Sequence, residues 1–126
     1  MDAKTWIELY NDAVSEHYSL WNYLWVGAVA LIGLTAEVAK NHKQAAGKTV
    51  PVLVIAFVGF AVVNAIVIFE SQKTKVSYFA HLPTEVQGAA PWSPCLVLTG
   101  HIAADVVVVA AAIALAIWGG RSGSDS

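Results

Sequence analysis

Apolar residues fill three long runs of this chain, from Leu20 to Ala39, from Val50 to Phe69 and from Cys95 to Trp118. Each approaches the roughly 20 residues that a helix needs to cross the hydrocarbon core of a bilayer. The second run is the clearest, with Asn64 its only strongly polar residue. The first is weaker and ends in Thr35 and Glu37. The pattern continues outside the runs. Trp6, Tyr10, Ala13, Val14, His17 and Trp21 recur at helical spacing ahead of the first, with Glu8, Asp12 and Glu16 on another face. Val76, Phe79 and Leu82 prolong the second until Pro83 stops it.

The predicted fold is all-α: three transmembrane helices, the first two extended into an extramembrane helical hairpin. Residues 5–39 form one long helix, 50–82 the second and 95–118 the third, in a single domain with a disordered tail over 119–126. Thr5 and Glu8 have capping-box spacing. Thr49 is placed to cap the second helix, with Pro51 in its first turn. The link NHKQAAGKT is short, so the first two spans are antiparallel neighbours and both overruns lie on one side. Glu16 and Lys73 then each stand about one turn outside their spans, placed to pair. No internal repeat is visible.

Composition supports a lipid solvent. The chain is 57% hydrophobic and 13% charged, where soluble domains carry roughly 25% charge. A soluble bundle of unusually apolar helices is the alternative. Aromatic residues cluster at Tyr18, Trp21, Tyr23 and Trp25, and again at Trp92 and Trp118, as rings collect at headgroup level. Net charge is −2, which gives no reason to expect a nucleic-acid partner. Cys95 is the only cysteine, so no intrachain disulfide forms. Asp2, Glu8 and Asp12 against Lys4 do not make the positive opening of a cleavable signal peptide. Lys40, Lys43, Lys48 and Arg121 fall on one side of the spans, and Lys4, Lys73 and Lys75 on the other. That bias puts the C-terminus in the cytoplasm and the N-terminus outside. The alanine- and valine-rich spans fit a bacterial inner membrane.

Asp105 changes the picture most. It lies inside CLVLTGHIAADVVVVAAAIALAIW, and a carboxylate at the centre of such a helix costs about 2.5 kcal/mol or more to insert. His101 is four residues earlier, on the same helical face. Asn64 lies about 8 Å inside the end of the second span and His101 about 9 Å inside the start of the third, on the same side. A polar track is expected from Glu70 at the rim, through Asn64 and His101, to Asp105. An acid and a histidine one turn apart are the kind of pair that takes and releases protons. The competing reading is hydrogen-bonded glue between helices, each bond contributing about 0.6 to 2 kcal/mol.

The remaining signals are weaker. Gly100 with Ala104, and Gly27 with Gly33, let helix backbones approach closely. Three spans give Asp105 little shelter, so a homo-oligomer or a larger membrane complex is expected. Repeated around an axis, Glu8, Asp12 and Glu16 would form an acidic mouth; otherwise they are a solvated face. His101 and Asp105 are two ligands where a metal site wants three or four, so neither a metal nor another cofactor is expected. No nucleophile elbow, phosphate loop or CxxC is present, so an enzyme is not expected. The functional reading is a small oligomeric membrane protein passing protons or cations through Asp105, His101 and Asn64. The alternatives are a non-catalytic accessory or scaffold subunit and a haem-anchoring subunit.

Overall fold

The computed structural model describes residues 1–121, apart from the side chains of Lys43 and Arg121. Three helices account for most of it: α1 (Ala3–Asn41), α2 (Lys43–Phe79) and α3 (Pro94–Arg121). All three are long and apolar enough to cross a membrane. Trp6 of α1 stacks on His81 just past α2, and Gly119 of α3 lies against Ala39 of α1. The helices therefore run up, down and up, with α1 and α3 parallel.

Each boundary differs a little from the sequence reading, for local reasons. The first helix is capped by Asp2, whose Oδ1 accepts from the Thr5 N–H and hydroxyl, both at 2.8 Å. Thr5 is thus the capped residue, and Glu8 approaches Lys4 at 3.8 Å. Only His42 interrupts the path from α1 to α2. The expected loop is helical from Lys43, because Ala45 and Ala46 bond back to the His42 carbonyl, and alanine favours helix. Thr49 therefore sits within α2 and caps nothing, and Pro51 is internal. The carbonyl that Pro51 deprives of a donor belongs to Gly47, which is exposed. At the other end α2 stops at Phe79, three residues short of the expected Leu82. Its last turns tighten through His81 N to Tyr78 O and Leu82 N to Phe79 O, since Pro83 bars Leu82 from helical dihedrals. Ser93 Oγ accepts from Leu96 N at 3.2 Å, with Pro94 at the first helical position. The third helix runs to Arg121, so residues 119–121 of the expected tail are helical; the rest of that tail lies outside the described residues.

The core is narrow. Leu24, Ala28, Leu31, Phe57, Ala61, Val108 and Ala112 form its buried cluster. Three of these are alanines, one on each helix, which lets the backbones come close. Outward faces are as apolar as the core: Val29, Ile55 and Val107 are 70%, 71% and 66% exposed. At about 1.5 Å per residue, α1 and α2 span about 58 and 56 Å against roughly 30 Å of hydrocarbon. Both are therefore longer than a single crossing needs. Trp6 packs on Tyr78 and His81, and Tyr10 on Phe79.

Candidate functional site

Asn64 links the three helices. Its Nδ2 donates to the Leu20 carbonyl of α1 at 3.2 Å and lies 3.2 Å from His101 Nε2 of α3. A carbonyl can only accept, so the amide nitrogen, not the oxygen, faces it. The second amide hydrogen then points to His101, and Nε2 must be the acceptor. The ring proton belongs on Nδ1, which lies 2.8 Å from Asp105 Oδ2. That approach is off the N–H direction, making it a close contact and not an aligned hydrogen bond. His101 is fully buried, and Asp105 is 17% exposed with Oδ1 enclosed and unpartnered. Both ring nitrogens of His101 already face polar groups, and no third His, Cys, Asp or Glu joins the pair among the described residues.

Glu70 lies apart from this cluster. It is exposed and pairs with Lys73 at 2.9 Å. The expected Glu16–Lys73 pair is replaced by this one, because an i,i+3 partner on the same helix needs no second element to be placed. Glu8, Asp12 and Glu16 are all exposed on α1. Of the small residues, Gly27 makes a close approach: a Cβ there would lie 2.8 Å from the Phe60 ring. Gly33 and Gly100 face open space, while Ala104 packs against the core cluster.

A second polar layer escaped the sequence reading. The Trp21 ring leans on His101, centroids 5.4 Å apart, and its Nε1 donates to His17 Nε2 at 3.1 Å. An indole nitrogen can only donate, so His17 is neutral and carries its proton on Nδ1. That Nδ1 is buried without a partner. Burial first, and then the Lys75 charge, push the His17 imidazole down to about 4. Burial also holds the Lys75 ammonium below its usual range. Gln72 is fully buried and donates to the Trp92 carbonyl at 2.5 Å, leaving its Oε1 unpartnered. The signal for this layer was a histidine in an otherwise apolar stripe, four residues from a tryptophan.

Two cavities flank the layers. A groove of about 680 Å³ between α2 and α3 is apolar except for Asp105. A cavity of about 650 Å³ opens beside His17, between α1, the end of α2 and the start of α3. The polar groups thus form a broken line from His17 through Trp21 and His101 to Asp105. Comparison with known protein families, with curated proteins and with solved structures finds no match for this chain.

Proposed function

We propose that the chain is a three-span integral membrane protein whose Asp105–His101 pair holds and passes a proton, and that it works as an oligomer. The outward apolar faces support insertion: helices hydrophobic all round are stable only when something apolar surrounds them. The observation that carries the proton reading is the 2.8 Å approach of His101 Nδ1 to Asp105 Oδ2 beside a fully buried ring. A proton arriving at His101 Nε2, as the Asn64 amide swings away, frees the ring to turn until Nδ1–H lines up with Asp105 Oδ2 and gives it its proton. The imidazole then stays neutral as its tautomer changes, and Asp105 becomes a neutral acid at the edge of the α2–α3 groove. From Val106 to Ile117 the third helix is only Val, Ala, Ile and Leu, so a second copy completes the path. A bacterial inner membrane with the N-terminus outside fits the composition and lysine bias.

The test is proton flux into liposomes carrying the purified protein. Asp105→Asn keeps the shape and removes the exchangeable carboxyl; it abolishes flux while assembly in mild detergent survives. Unchanged flux in the variant, or none in the parent, overturns the reading. An accessory subunit is the second reading, favoured by the aromatic clasp between α1 and the end of α2. It requires a partner that co-purifies and is lost on deleting residues 1–18.

A further inference from the structure

The cavity beside His17 has the make-up of a ligand site. Trp21, Trp25 and Trp92 supply flat apolar walls, while His17, Gln72 and Lys75 supply the polar groups. None of its lining residues is an acid. Lys75 is half-buried and makes no ion pair among the described residues. His17 is 6% exposed, and its Nδ1–H, fixed as a donor by the Trp21 bond to Nε2, has no acceptor. A half-buried cation in an aromatic-walled cavity that holds no acid calls for an anion on a flat apolar body. The size agrees, since about 650 Å³ is ordinary for a small-molecule site.

We propose that this cavity binds a small aromatic carboxylate, its ring among the tryptophans and its carboxylate on Lys75. The proposal stands apart from the proton path and needs no flux through Asp105.

Calorimetric titration of 2-naphthoate into the full chain, held in phosphatidylcholine nanodiscs with empty discs as blank, tests it. Saturable binding is expected. The uncharged 2-naphthamide binds the same protein about tenfold more weakly, as loss of a charge-assisted contact requires. Lys75→Gln weakens naphthoate binding by a similar factor. Gly100→Leu abolishes it, because its side chain enters the cavity from a position where an added Cβ meets nothing within 4 Å. Heat no greater than that of empty discs overturns the proposal. So does equal affinity for naphthoate and naphthamide, or binding indifferent to Gly100→Leu.

Discussion

His17 ties the stability of the fold to pH. Its imidazole is neutral in the fold, with Nε2 held by the Trp21 indole and Lys75 nearby. Protonation would break that bond and set two positive charges together. In the unfolded chain the ring takes a proton near its ordinary 6.5, but in the fold only near 4. Between those values the unfolded state binds more protons, so acid favours it. The contribution of His17 is therefore complete above about pH 6.5 and disappears as pH falls towards 4. Thermal unfolding in detergent, followed from about pH 8 to about pH 4, reads this directly. His17→Phe keeps a ring in place and removes the titration, so its midpoint declines less steeply through that window. Parallel declines in the two proteins would show that His17 is not the group responsible. Asn64 does not itself titrate: two hydrogens on one amide nitrogen serve α1 and α3 at once, and the tautomer of His101 follows from them.

At the scale of elements, packing depends on where backbones nearly touch. A Cβ on Gly119 would stand 2.8 Å from the Ala39 Cβ and 3.6 Å from the Ala39 backbone. Neither group can rotate aside, so Gly119→Ala must push α3 away from α1. A Cβ on Gly27 meets the Phe60 ring, also at 2.8 Å, but Phe60 is 39% exposed and can swing. Gly119→Ala is expected to cost about 1 to 3 kcal/mol, the usual range for overpacking, and Gly27→Ala less. Gly33→Ala, facing open space, should be neutral or gain up to about 1 kcal/mol of helix propensity. Equilibrium unfolding of the three variants ranks them. The three helices themselves were legible because apolar runs of span length have few other solutions, and helical rise alone put Asn64 level with His101. Their ends were not legible. A basic, alanine-containing link reads as loop or helix equally well, and only the tight reversal at His42 decides it. Gly119 was hidden for the same reason, lying beyond the last apolar run. Glu70 was placed at the rim by depth, but depth says nothing of azimuth, and its side chain turns outward to Lys73. His17 sat in a stripe that packing alone would explain; its bond to Trp21 needed coordinates.

The whole molecule poses a question of sidedness. Three helices running up, down and up place residue 3 and the loop over 80–93 at one end, with His42 and Arg121 at the other. In a membrane this arrangement allows only two orientations, and in either one the two ends are separated by the bilayer. The Trp6 end sharpens the choice, because it carries Asp2, Glu8, Asp12 and Glu16 against Lys4, Lys73 and Lys75. The His42 end carries Lys40, Lys43, Lys48 and Arg121, so positive charge near the spans is densest where the chain turns back at once. Such a bias favours the cytoplasm for that end, which is the orientation proposed above. Single cysteines at Ala3, His42 and Gly88, in a protein whose Cys95 is changed to Ala, test this with a membrane-impermeant maleimide on intact spheroplasts. All three parent residues are exposed, so labelling reports side and not burial. Cysteines at 3 and 88 are expected to label in intact cells, and the one at 42 only after lysis. The reverse pattern would keep the three-span fold and overturn the orientation. Labelling of none before lysis and of all three after it would remove the membrane crossing from the account, and with it the reason for so much apolar surface on a bundle with so thin a core.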